Sequence, residues 1–222
     1  MYEKIIESLK EKVGENLLCA VKFGTEGEPN NFLCVLEKID FATLEQLKET
    51  MQKQKEKVVP LFFTRNELQN AADVFPLEFL NIQHPHELLY GEDLIAAIKM
   101  GKNHVRRELE SELRSKLIHL RENYIWIKKD KDLKTLLIGA VPSLMPLFYG
   151  LLYLKNTTPP TELDQLFDLV AEKYSFNVEV LRRLKLLKDG KIKAESIELK
   201  KEVEGLLEFL RKTIPVIDKM NV

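Results

Sequence analysis

A small set of side chains in this chain stands at spacings that chemistry uses. His84 and His86 flank Pro85. Two imidazoles two positions apart hold a metal when further ligands converge on them. The other histidines, His104 and His119, are remote in sequence and no cysteine pair is near, so the triplet reads as a surface turn. Arg114 and His119 form a second pair, five positions apart within one charged stretch. On a helix that separation turns about 140°, which spreads the two over different faces. Cys19 and Cys34 lie inside apolar runs and read as core thiols. Gly24-Thr25 closes one apolar run just after Lys22, and Asn31 opens the next. The carboxylates nearby are Glu26 and Glu28 between those runs, Glu37 beyond them, and Glu78 within the apolar stretch Pro76-Leu77-Glu78-Phe79. No P-loop, Gly-x-Gly-x-x-Gly, Gly-x-Ser-x-Gly or His-Glu-x-x-His motif occurs.

These residues need a scaffold, and hydrophobic periodicity outlines one. Ile5, Ile6, Leu9 and Val13 are spaced for a helix that Gly14 stops. Leu17–Phe23 and Phe32–Leu36 read as buried strands, Val58–Phe63 as a third and Phe75–Ile82 as a fourth, with Pro76 near its start. Residues 42–55 read as a surface helix burying Leu44, Leu47 and Met51. Thr64 and Glu67 have capping-box spacing for a short helix. From residue 93 the pattern is helical throughout. Val105, Leu109, Leu113, Leu117, Leu120, Tyr124 and Ile127 make one stripe, with Trp126 as an anchor between helices. Thr158-Pro159 reads as a helix start, Asn177 as a cap and Gly190 as a stop. Leu199, Val203, Leu206, Leu207, Leu210, Ile214 and Ile217 form the last stripe. The expected organisation is an α/β (α+β) unit with a small mixed sheet over residues 1–95, then an all-α helical bundle over 96–222.

Composition bounds the function. The chain has 222 residues, 45% hydrophobic and 31% charged, which is a globular balance. A net charge of −1 excludes a protein acting chiefly as a polycation on nucleic acid. The charge is segregated: residues 1–98 carry −7, residues 99–134 carry +5 and residues 135–222 carry +1. Either the oppositely charged parts dock on each other, or the basic segment offers a face to a phosphate-bearing ligand. Two cysteines fit a reducing compartment, and the charged N-terminal stretch lacks the apolar core of a signal peptide, so a cytoplasmic location is expected.

Leu136–Leu154 holds no charge over 19 residues, nearly enough to cross a bilayer, and Lys128, Lys129, Lys131 and Lys134 precede it. Pro142, Pro146, Gly139 and Gly150 interrupt it, and amphipathic stretches on both sides need an apolar partner. A buried central helix, kinked or broken at the prolines, is the favoured reading over a membrane span.

The strand ending in Gly24-Thr25, the loop and strand after it, the PLEF segment and the string FPLEFLNIQHPHELLYGED (Phe75–Asp93) together resemble the nucleotidyltransferase superfamily of polymerase-beta-type fold. With the following RELESELRSKLIHLRENY (Arg107–Tyr124), the chain is similar to bacterial nucleotidyltransferase-domain proteins with a C-terminal helical region. The resemblance implies a Gly-Ser turn on nucleotide phosphates and three carboxylates, two as Asp-x-Asp, holding two Mg2+ ions for in-line attack. Here Gly24-Thr25 stands for Gly-Ser, Asn31 and Leu33 stand for the two aspartates, and Glu78 for the third acid. One carboxylate cannot hold two divalent ions. Glu37 shares the strand face of Leu33 but lies about 13 Å along it. Arg114 and His119 also resemble the Arg-x4–6-His pattern of helical-bundle ribonucleases.

The resulting expectation is a catalytically degenerate nucleotidyltransferase-like protein that acts by binding a nucleotide, a protein partner or a second copy of itself. Gly24, Thr25, Asn31 and Lys22 would line the nucleotide turn, with basic residues of Arg106–Arg121 as a further source of charge. Glu78 is the residual catalytic candidate. Mg2+ belongs only to the alternative, an active nucleotidyltransferase with a site rebuilt from Glu26, Glu28, Asn31 and Glu78. Nucleic acid and membrane are the disfavoured partners, although a membrane-associated protein using residues 136–154 remains a further alternative.

Overall fold

The computed structural model describes residues 2–24, 30–53 and 58–222. The architecture is mixed α+β, with a small four-stranded mixed sheet and a helical C-terminal region. The chain divides into two compact units, residues 1–100 and 101–222.

In the first unit, α1 (Tyr2–Val13) buries Ile5, Ile6 and Leu9 and ends at Gly14, whose φ is +55°. Strands β1 (Leu17–Phe23) and β2 (Asn30–Leu36) pair antiparallel, and α2 (Phe41–Gln52) leads to β3 (Val58–Thr64), which pairs parallel with β2. Strand β4 (His86–Gly91) adds antiparallel to the other side of β1, so the order is β3-β2-β1-β4. The two central strands are covered on both faces, which is why they read as continuous apolar runs. Ala20, Phe32, Cys34 and Leu36 pack on α1 and on Leu47 of α2, and Phe62 joins them. The next residue, Phe63, meets Phe79 of α4 (Pro76–Gln83) at 5.9 Å between ring centroids. Successive strand residues point to opposite faces, so helices cover both sides of the sheet. Gly91 shows why β4 needs a glycine: its φ is +76° and a Cβ there would stand 1.9 Å from the Leu18 carbonyl oxygen.

Three expectations are corrected here. Phe75–Ile82 is not a strand. It forms α4, with Pro76 at its first turn and Leu77, Phe79, Leu80 and Ile82 all buried. The run is short and mostly apolar, so its few polar positions, Glu78 and Asn81, are too few to show a period, and proline at the helix start is pre-organised for the first turn. The fourth strand instead starts at His86, inside the segment read as a surface turn. In α2 the buried stripe is Thr43, Leu47 and Thr50, while Leu44 is exposed. Both threonines are tolerated inside because their hydroxyls are paired, Thr43 Oγ1 with Asp40 Oδ1 and Thr50 Oγ1 with the Gln46 carbonyl. The capping box of Thr64 and Glu67 opens α3 (Arg65–Asn70).

The second unit contains α5 (Lys102–Trp126), α6 (Asp130–Leu154), α7 (Leu163–Tyr174), α8 (Glu179–Lys188) and α9 (Leu199–Asp218). Helix α6 packs against α5, α7, α8 and α9. Phe148 meets Phe167 of α7 and Phe209 of α9 at 5.6 and 6.3 Å between ring centroids. By length and composition α6 could cross a membrane, and 56% of its most apolar window is buried inside the protein. Of the expected kink or break at the prolines, no break occurs: the helix runs unbroken through Pro142 and Pro146. Helix α7 begins at Leu163 rather than at Thr158-Pro159. Pro160 disfavours a helical conformation at Pro159, which delays the start. The N-cap of α8 is Val178 rather than the expected Asn177, which stands one residue earlier and accepts from the Glu179 amide through Oδ1 at 3.0 Å, and Gly190 follows the helix end at φ +69°. Val105, Leu109, Leu113, Leu117 and Leu120 form the buried stripe of α5, but Tyr124 is exposed and Trp126 is 79% exposed, so it anchors no helix.

Candidate functional site

Lys22, Gly24, Asn31 and His86 gather at one end of the sheet, where β1 ends and β2 and β4 begin. Phe23 pairs across to Asn31 on one side and to His86 on the other. Directly paired residues share a face, so Asn31 and His86 lie on the face of Phe23. Lys22 pairs with Phe32 and Glu87 and therefore lies on the opposite face. Its ammonium is 2.7 Å from Glu87 Oε2 and 5.9 Å from the ring of Tyr2, which in turn lies 5.8 Å from the ring of Phe32. Burial raises the Tyr2 phenol, against the pull of Lys22. The Gly24 amide donates to the Pro85 carbonyl at 3.1 Å. Thr25, Glu26 and Glu28 lie outside the described residues.

The acid positions are occupied differently from the resemblance. Leu33 is fully buried in β2. Glu37 is exposed beyond that strand, with Arg65 Nε at 3.7 Å. Glu78 sits in the first turn of α4 rather than on a strand, and desolvation by its surroundings raises its carboxyl above the ordinary value. Among the described residues, no group of three or more His, Cys, Asp and Glu is placed to hold a metal ion.

The best-built polar cluster at this end went unmarked by sequence spacing. His86 Nε2 lies 2.9 Å from Asp93 Oδ2, and its Nδ1 lies 2.9 Å from the Gln83 carbonyl oxygen. Asp93 Oδ1 accepts from the amides of Ile95 and Ala96. The Gln83 side-chain amide donates to the carbonyls of Ile95 and Ile98. Partial burial disfavours charge on His86, but the Asp93 hydrogen bond and the Gln83 carbonyl outweigh it and raise its pKa. Asp93 is lowered: desolvation opposes this, while the Ala96 amide and His86 prevail. His84 moves the other way, lowered by burial and by the charge of His86. Two acceptors on the two ring nitrogens favour the doubly protonated imidazolium, which has no lone pair for a metal. The Asp93-x-x-Ala96 turn, an aspartate capping two amides, was the one local signal of the cluster.

The remaining candidates are dispersed. Cys19 and Cys34 are buried free thiols. Their strand partners, Val35 and Ala20, put them on opposite faces of the sheet. Burial raises both, Cys34 well above the ordinary thiol. On α5, Arg114 donates to Glu110 Oε1 at 2.8 and 2.9 Å, and His119 Nδ1 lies 3.0 Å from Glu122 Oε2. Each is engaged with its own helix neighbour, and His119 is exposed. A groove of about 390 Å³ opens among α5, α6 and α9, lined by apolar side chains that include Leu120, Leu136, Leu206 and Leu210.

No family model matches the chain, and no curated protein matches it.

Proposed function

We propose that this chain is a catalytically degenerate nucleotidyltransferase-like protein that works by binding a protein partner rather than by transferring a nucleotide. The observation that carries this reading is the separation of Lys22 and Asn31 by the sheet. A nucleotide seated on the turn would need both on one side, since a phosphate chain follows a single continuous surface. Lys22 is also neutralised by Glu87, and the Gly24 amide is spent on Pro85. Leu33 in the core gives a second carboxylate no place without disrupting the strand. The nucleotidyltransferase-like part of the reading is supported by the antiparallel β1–β2 pair with Gly24 at its end and the parallel β3 that follows α2.

The test is thermal unfolding of the full chain with ATP, CTP, GTP or UTP, each with and without Mg2+. The expected result is an unchanged melting temperature in all eight conditions, because a ligand that binds the folded state must stabilise it. A rise that requires Mg2+ would return the active enzyme to first place. A rise without Mg2+ would make the chain a nucleotide-binding protein.

A further inference from the structure

The second unit exposes an apolar tip that the reading above does not use. Helix α5 ends with Ile125 at 75% and Trp126 at 79% exposure, and Ile118, about two turns earlier on the same side as Ile125, is 51% exposed. Large apolar side chains exposed together mark an interaction surface more often than a solvated one. Immediately after them come Lys128, Lys129, Lys131 and Lys134. Among the described residues none of these four lysines has an ion-pair partner, whereas Arg106, Arg114 and Lys116 of α5 are each paired with a glutamate of their own helix. The acids of the same corner, Asp130 and Asp132, occupy the first turn of α6, where the helix backbone offsets their charge. Glu122 is engaged with His119. The corner therefore presents an indole and an isoleucine flanked by uncompensated ammonium groups on long aliphatic stems.

We propose that the corner joining α5 to α6 docks on an anionic phospholipid bilayer. Indole rings favour the boundary between headgroups and acyl chains, and lysines beside them keep their stems in apolar contact while the ammonium reaches lipid phosphate. The charge complementarity selects anionic lipid over neutral lipid. Ile125 and Trp126 stand exposed at the end of α5, where both side chains are free to enter a deformable surface. The contact is superficial and separate from any span by α6, whose Phe148 and neighbouring apolar side chains pack on α7 and α9.

Trp126 is the chain's single tryptophan, so its fluorescence reports this corner directly. The full chain is titrated with vesicles of phosphatidylcholine containing phosphatidylserine, and with phosphatidylcholine alone. The expected result is a blue shift of the emission, and quenching by brominated acyl chains, with the anionic vesicles only, reversed by added salt. The exposed pair K128E/K129E should weaken vesicle binding at least about tenfold in cosedimentation. Ile125→Ser should weaken it while leaving the indole as reporter. No shift with anionic vesicles from a folded protein overturns the proposal, as does equal binding to neutral vesicles or undiminished binding by K128E/K129E. A shift with polyglutamate but none with vesicles also overturns it, in favour of an acidic protein surface.

Discussion

His86 and Asp93 are joined at 2.9 Å, Nε2 to Oδ2, while the other ring nitrogen of His86 faces the Gln83 carbonyl. This pair ties the start of β4 to the turn that leaves it, and Gln83 adds the end of α4 to the same knot. The side chains are 16% and 31% exposed, so solvent screens the pair only in part.

The pair makes stability depend on pH with a definite sign. The raised His86 contributes fully below its unfolded value, about 6.5, and its contribution fades as pH rises through the folded value. The lowered Asp93 contributes above about 3.9 and fades as pH falls. His86→Gln should therefore cost about 1 kcal/mol near pH 5.5 and less near pH 9, by urea unfolding. A cost that does not change with pH would mean the pair is not charged.

Placing a carboxylate at position 33, where this chain has leucine, should cost the fold before it yields chemistry. Leu33 is fully buried between β1 and β3. Leu33→Asp buries a carboxylate without a partner and should destabilise more than Leu33→Ala, itself expected at about 2–5 kcal/mol. Denaturant midpoints of the two variants make the comparison.

Two glycines should respond oppositely to alanine. At Gly91 the new methyl would meet the Leu18 carbonyl oxygen at 1.9 Å, so Gly91→Ala should cost over about 2 kcal/mol and loosen the β1–β4 pairing. At Gly139, inside α6, nothing lies within 4 Å, so Gly139→Ala should stabilise by about 0.5–1 kcal/mol. Calorimetry with amide exchange on β4 reads both.

The helical unit hides one carboxylate. Glu202 is 6% exposed by side chain, and Arg183 Nε donates to both its oxygens at 2.9 and 3.0 Å. Arg183→Ala leaves that charge buried alone and should cost about 2–3 kcal/mol. Adding Glu202→Gln should recover part of the loss, and a purely additive double variant would show the two are uncoupled.

Much of the framework was legible from one sequence because burial on a single face imposes a period. Helix α1 and the α5 and α9 stripes follow from it, while β1 and β2 were legible as apolar runs covered on both faces, and the Thr64–Glu67 capping box from residue types at a fixed spacing. The errors fell where that signal vanishes. Phe75–Ile82 is short and mostly apolar, and α4 rather than a strand resulted. The α2 stripe contains threonines, whose hydroxyls enter the interior only because the backbone and Asp40 satisfy them. Trp126 looked like an anchor by residue type, yet the α5 stripe turns away from it.

Local residue pattern alone determined most of the helices and strands, though not α4 or β4, because propensity, capping and periodicity act over a few neighbouring positions. It also placed Lys22, Gly24 and Asn31 close together in the chain. Tertiary structure alone decided that a strand's alternation sends Lys22 and Asn31 to opposite faces, that Gly24 spends its amide on Pro85, and that His86 meets Asp93. Those outcomes depend on pairing register and on groups brought together across β4 and its turn, which no local period encodes.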